Sequence, residues 1–171
     1  MNTRPFFFML MAMIIGGPIA FGQKMDNKSL GKILLQEADS VAGQDGYWQL
    51  KYGQGSMLVM TDEANNRMRI VHPITYVADL EEDMMEKALI ANFHTALDIK
   101  YAISEDIVWA VFIHPLKELT KEQVIDALKQ VYQGAMTFGL TYSSTNLVFP
   151  AASGEEEKEV KKEEEKSPTR Y

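Results

Sequence analysis

The sequence predicts an α+β domain: a helix, a three-strand antiparallel meander, a second helix, a β-hairpin and a third helix, in that order. Three observations carry this prediction. Apolar residues recur every three or four positions in three separate stretches, which is the helical period. Between those stretches lie short runs in which apolar and polar residues alternate, bounded by glycine and asparagine, as half-buried strands require. One further run, Ile107-Val108-Trp109-Ala110-Val111-Phe112-Ile113, is apolar at every position and fits a strand in the middle of a sheet.

Ahead of the domain, Arg4 supplies a positive start and residues 6–15 are unbroken apolar chain. Gly16-Gly17-Pro18 breaks that run, and the small residues Ala20 and Gly22 precede Gln23. This three-part pattern predicts a signal peptide over residues 1–22, cleaved after Gly22. A retained anchor fits less well, because spanning a bilayer takes about 20 apolar residues. Nothing later is apolar for long enough to span. The sequence therefore predicts a periplasmic or secreted protein with a folded domain at 23–150.

The first helix is expected to be capped by Asn27 or Ser29, with Leu30, Ile33, Leu34, Ala38 and Val41 on one face and Gly43-Gln44-Asp45-Gly46 ending it. Tyr47–Tyr52 alternates as a strand. Gly53-Gln54-Gly55 is read as the turn into a second strand at 56–61, since glycine takes the positive φ of tight hairpins. A turn at residues 62–66 leads to a third strand at 67–77, interrupted or ended near His72-Pro73 because proline cannot donate to a ladder. Asp79, with Glu82 three residues on, reads as the start of a long helix to about residue 99. Its expected stripe is Met85, Ala88, Leu89, Phe93, Ala96 and Leu97. Residues 101–104 and 107–113 form a hairpin about Glu105-Asp106. Thr120 and Gln123 make a capping box for the last helix, which aligns Val124, Leu128, Val131 and Ala135 and ends near Gly139. Leu147-Val148-Phe149-Pro150 reads as an apolar tether onto the domain. Residues 151–171 are glutamate- and lysine-rich with almost nothing to bury, the composition of a disordered, solvated tail.

Composition narrows the function. The 171 residues contain no cysteine, which excludes a disulfide scaffold, a cysteine nucleophile, a cysteine zinc site and a lipidated cysteine. Seventeen lysines and arginines against 24 acids give a net charge of −7. An acidic chain is a poor candidate for nucleic acid, whose phosphates call for a basic surface.

The element order, the run Leu119-Thr120-Lys121-Glu122-Gln123 opening the last helix and Asn92 inside the middle one together resemble the YbjN-like and type III secretion chaperone-like (Tir chaperone, CesT-type) superfamily. The resemblance covers about residues 28–145. It implies a small α+β binding module, often dimeric, that holds a partner polypeptide and performs no chemistry. Two features depart from that pattern: secretion chaperones are cytoplasmic without an export signal, and they have no glutamate/lysine tail.

The residues themselves point the same way. His72 and His114 each precede a proline near a strand end, His94 flanks the helix stripe, and no HxH or HExxH spacing occurs. The acids Asp79, Glu81, Glu82, Asp83 and Glu86 are explained by the positive end of a helix dipole. Gly53-Gln54-Gly55-Ser56 sits on a hairpin and is neither a nucleophile elbow nor a phosphate loop. Asn92, on the buried stripe, is expected to bond backbone groups. No catalytic residue, metal ligand or cofactor is assigned. In the meander, Trp48, Leu50, Leu58, Met60, Met68 and Ile70 are expected to face the helices. Tyr47, Gln49, Lys51, Met57, Val59, Arg67, Arg69 and Val71 then share the opposite face. Arginine, tyrosine and methionine are enriched at interfaces, so Tyr47, Lys51, Arg67 and Arg69 are the candidate contacts for a protein partner or a homodimer. The alternative is an envelope hydrolase assembled from dispersed residues such as His72 and His114, which requires a histidine within reach of a carboxylate or hydroxyl.

Overall fold

Asp26 starts the first element. Its carboxylate accepts a hydrogen bond from the Ser29 N–H at 2.7 Å, so the cap lies one residue before the expected Asn27. The computed structural model describes residues 24–147 of the 171-residue chain. The expected signal at 1–22, Val148-Phe149-Pro150 and the tail at 151–171 lie outside the described residues.

Helix α1 (Asn27–Glu37) buries Leu30, Ile33 and Leu34. It stops before Ala38 and Val41, which were expected on its stripe. Ser40–Gln44 is instead a strand, β1. Asp45-Gly46 turns it back antiparallel onto β2 (Tyr47–Tyr52), with Gln44 opposite Tyr47 and Gly46 at φ 98°. Asp-Gly between strands is a strong hairpin signal. Gly43 has φ 113°, and a Cβ there would lie 2.3 Å from the Tyr47 carbonyl oxygen, so only glycine fits. The meander thus has four strands where three were expected.

The next turn is also shorter than expected, and the consequence is larger. Gly53-Gln54 alone links β2 to β3 (Gly55–Asp62), with Tyr52 opposite Gly55. Leu50 then faces Met57 across the ladder and Trp48 faces Val59. Residues directly opposite share a face, and a one-residue slip reverses every side chain. Met57 and Val59 are therefore in the core and Leu58 and Met60 on the outer face, the reverse of the sequence expectation.

Strand β4 (Arg67–Tyr76) runs through His72-Pro73 without ending. Its pairing with β3 finishes at Val71, before the proline, and its pairing with β6 shifts register between Pro73 and Thr75. A 3-10 turn at Val77–Asp79 follows, and helix α2 is only Met84–His94. Asp79 therefore caps no long helix, and the turn before α2 is Asp83, whose side chain pairs with Lys87 at 2.6 Å. Strands β5 (Lys100–Ser104) and β6 (Ile107–His114) form the expected hairpin, Glu105 and Asp106 both adopting positive φ. Helix α3 (Lys121–Thr137) carries the complete Thr120–Gln123 capping box and buries Val124, Leu128, Val131 and Ala135 as expected.

The fold is α+β, with helix, strands, helix, hairpin and helix in the expected order. Six antiparallel strands lie in the order β1-β2-β3-β4-β6-β5, so β6 closes onto β4 and leaves β5 at the edge. Helix α3 packs across β4 and β6 and against α1, while α2 sits beside β5. The α1 backbone lies on the indole of Trp48, where a Cβ on Gly31 would be 3.6 Å from the ring. Between the sheet and these helices lie Leu50, Met57, Val59, Met68, Ile70 and Leu128, each almost wholly buried.

Candidate protein-binding face

Every strand that sends alternate side chains into the core sends the others to the opposite face of the sheet. In β6 both sets are apolar. Val108, Ala110 and Phe112 go inward, leaving Trp109, Val111 and Ile113 outside. The ladder then aligns these with neighbours from β3 and β4. One row reads Tyr47, Met60, Arg69, Ile113 across β2, β3, β4 and β6. The next reads Gln49, Leu58, Val71, Val111 and ends on Lys100 of β5. Leu58, Met60, Val71, Trp109, Val111 and Ile113 together floor a groove of about 410 Å³, with Arg69 standing in it. The Trp109 indole N–H donates to the Ser104 carbonyl at 3.1 Å, which fixes the ring at one end of the floor.

The four candidate contacts do not act as one group. Tyr47 and Arg69 lie in the same row, separated by Met60. Arg67 is one row beyond, opposite Asp62, and its guanidinium donates to the carbonyl of Asn66 at 3.0 Å. Lys51 is at the far end of β2 and reaches back to the carbonyl of Gln54 at 3.3 Å. The ion pair found among the described residues, Lys87 with Asp83, involves none of them.

A second apolar surface went unread in the sequence. On α2, Ala88 and Ala91 pack inward, whereas Leu89, Ile90 and Phe93 are exposed, Phe93 at 78%. Leu89 and Phe93 were expected on the buried stripe. The helix has an apolar residue on nearly every side, and the small alanines take the inner positions. Asn92 does the work expected of it: its amide donates to the Tyr101 carbonyl at 3.2 Å and accepts from the Tyr101 N–H at 2.7 Å, pairing the outer edge of β5. The Tyr101 hydroxyl donates to the Gly134 carbonyl at 2.9 Å, and burial pushes its pKa up to about 12.

The histidines are placed as neighbours of their prolines. His72 is 5% exposed, with Nδ1 2.6 Å from the Pro73 carbonyl and Nε2 unpartnered. Burial holds its pKa below the usual histidine value. His114 lies with Nδ1 2.8 Å from the Pro115 carbonyl, stacked on Phe112, and lines a 260 Å³ pocket with Asp98, Gln123 and Asp126. Neither ring hydrogen-bonds a carboxylate or a hydroxyl among the described residues, the arrangement that the hydrolase alternative requires. The buried Gln130 amide in fact engages the two acids, donating to Asp98 at 3.1 Å and Asp126 at 2.7 Å.

Solved structures share this fold, among them two aligned over nearly their whole length. One, a HopA1–SchA chaperone–effector complex, aligns at 13% identity over 64% of this chain and 92% of that one, with a TM-score of 0.50. The other, an ExsC–ExsE complex, aligns at 15% identity over 68% of this chain and 97% of that one, with a TM-score of 0.53. No family model matches the chain, and no curated protein matches it. At these identities the likeness is one of fold, and it bears out the chaperone-like resemblance at that level. It also corrects the expected location. The neighbours that share the fold point against the expected periplasmic or secreted protein.

Proposed function

We propose that the chain is a non-enzymatic protein-binding module that holds a polypeptide partner against the outer face of its sheet. One observation carries this reading: among the described residues no helix lies over the apolar floor of Leu58, Met60, Trp109, Val111 and Ile113, since α1 and α3 both pack on the other face. Contiguous uncovered apolar surface of this kind marks interaction sites. The fold it shares with a chaperone of a chaperone–effector complex supports the same reading.

A photo-crosslinking amino acid placed at Met60 in cells tests it. The reading expects polypeptide adducts from Met60 that vanish when Leu58→Gln and Ile113→Gln are combined, with the circular dichroism spectrum unchanged. Equal adducts from a crosslinker at the exposed Lys28 on α1, or adducts indifferent to the double substitution, would overturn it.

A second reading, self-association, is favoured by the exposed Leu89, Ile90 and Phe93 of α2. It places the homodimer contact on the helix and leaves the sheet free for a partner. Sedimentation equilibrium of the native chain and of Phe93→Asp separates the two: the native chain should dimerise and the variant should be monomeric.

A further inference from the structure

Within the proposed binding face, Arg69 is among the described residues the one cation lining the groove, whose other polar residues, Ser104 and Glu105, stand at the β5–β6 turn. We infer that the groove takes an extended polypeptide segment carrying a carboxylate flanked by apolar side chains, and that Arg69 receives the carboxylate. This rests on the outer-face reading above and adds the partner's chemistry to it.

The inference follows from what surrounds the guanidinium. In its own row Arg69 has Met60 on one side and Ile113 on the other, so neither cross-strand neighbour can balance its charge. Along β4, two residues away on the same face, stands a second cation, Arg67. Glu105 lines the groove at the β5–β6 turn but forms no ion pair with Arg69 among the described residues, and Asp62 on β3, opposite Arg67, is already held. Its Oδ1 accepts from the Asn65 N–H at 3.0 Å and its Oδ2 from the Asn65 amide at 2.7 Å. Those bonds hold its pKa below the usual carboxylate range. Lys100, at the other end of the groove, is turned away, its ammonium donating to the carbonyls of Leu97 at 2.7 Å and Asn92 at 2.9 Å. Arg69 is thus an exposed cation with no ion pair among the described residues, in a chain of net charge −7.

The apolar floor makes that charge selective. A guanidinium matches a carboxylate with two parallel N–H···O bonds, which neutral partners do not reproduce. A segment laid over Leu58, Val71 and Val111 expels water from beside the pair, and the attraction grows as the local dielectric falls. Apolar residues at alternate positions of the segment would meet the floor, and the intervening charge distinguishes an acidic partner from a neutral or basic one.

The full-length chain tests this with dye-labelled nonapeptides of alternating valine and serine whose central residue is glutamate, glutamine or lysine, read by fluorescence anisotropy. The expected result is binding of the glutamate peptide about tenfold or more tighter than its glutamine counterpart, weakened by salt. Arg69→Gln should abolish the difference between them. Arg69→Lys should restore part of it, since lysine keeps the charge but not the fork. Equal binding of glutamate and glutamine peptides, with both lost in the Leu58→Gln, Ile113→Gln variant, would overturn the carboxylate while sustaining the outer-face reading. Binding of no peptide would overturn the inference, and if the Met60 crosslinks also fail, the outer-face reading falls with it. A chain that dimerises through this face, losing its dimer in Leu58→Gln, Ile113→Gln but not in Arg69→Gln, would also overturn it.

Discussion

The two faces of this one sheet are built from the same kinds of residue and behave as different materials. Leu50, Met57, Val59 and Ile70 on the inner face are at most 1% exposed. Leu58, Met60 and Val111 on the outer face are the same aliphatic and thioether side chains at adjacent positions, yet they stay partly open. What separates them is cover. Inside, α1 and α3 close over the sheet, and fit is tight enough that a single added carbon matters: a Cβ on Gly134 would stand 2.5 Å from the Ile99 methyl, and one on Gly55 would stand 2.1 Å from His72 Nε2. Outside, no such fit is imposed. Apolar pattern alone therefore marks what can be buried, and the placement of helices decides which half of it becomes core. The other half is left for a partner.

The strongest test of this contrast is on the inner side. Leu128 of α3 is wholly buried against the sheet. Truncation to alanine removes three carbons from a site whose walls are already locked, and Leu128→Ala should cost about 2–5 kcal/mol in urea unfolding. A loss below about 1 kcal/mol would mean that α3 rests loosely on the sheet and that the inner face is less of a core than its burial shows.

A polar probe of the same interior is His72, packed between Gly55 of β3 and the edge of Tyr132 on α3. Among the described residues no carboxylate pairs with it, and only the Pro73 carbonyl answers one of its nitrogens. Its folded pKa lies below the ordinary 6.5 chiefly through burial, so the neutral ring is the form that the fold accepts. The sign follows from that depression. Stability is intact above pH 6.5 and declines as pH falls below it toward the folded value, because the unfolded chain takes up the proton first. Urea midpoints measured from pH 7.5 down to pH 5 should fall for the native chain and fall less for His72→Gln. Identical slopes would show that His72 contributes nothing to the acid response.

How much of this was legible depended on whether the determining information was local. The capping box of α3 spans Thr120 to Gln123, and both the box and the four buried residues behind it were readable. So was the Asn92 amide, because a polar residue on a buried stripe must find a backbone partner. The β3 phase was not. It hinged on whether Gly55 belongs to the turn or to the strand, and that single residue moved Leu58 and Met60 from the expected core to the outer face. β1 is hidden because Ala38 and Val41 fit a helical spacing, and the Asp45-Gly46 turn that outweighs it fits a helix end equally well. For the candidate site, Tyr47 and Arg69 were recognisable as surface residues of alternating strands. Their apolar floor was not, because Val111, Trp109 and Ile113 join it only through the pairing of β6 with β4, a contact between segments separated by α2 and β5. Such pairing leaves no mark in a local pattern. The exposed side of α2 was obscured for another reason: alanines and larger apolar residues compete for the same stripe, and only packing space chooses the alanines.

The smallest predicted effect is the one that bears most directly on the contrast. Ile113 is 57% exposed on the outer face, in register with Arg69. Ile113→Thr keeps the β-branched shape that suits a strand and removes apolar surface that no helix among the described residues covers. Its unfolding free energy should stay within about 0.5 kcal/mol of the native chain, as surface substitutions do. The same exchange of an ethyl group for a hydroxyl at an inner position would leave a void that the packed helices cannot fill and a buried hydroxyl in need of a partner. If Ile113→Thr instead cost as much as a core truncation, the outer floor would have to be covered in the free chain, by a second copy or by residues outside 24–147, and repeating the unfolding at tenfold lower protein concentration would tell those two covers apart, since only the second copy dissociates on dilution.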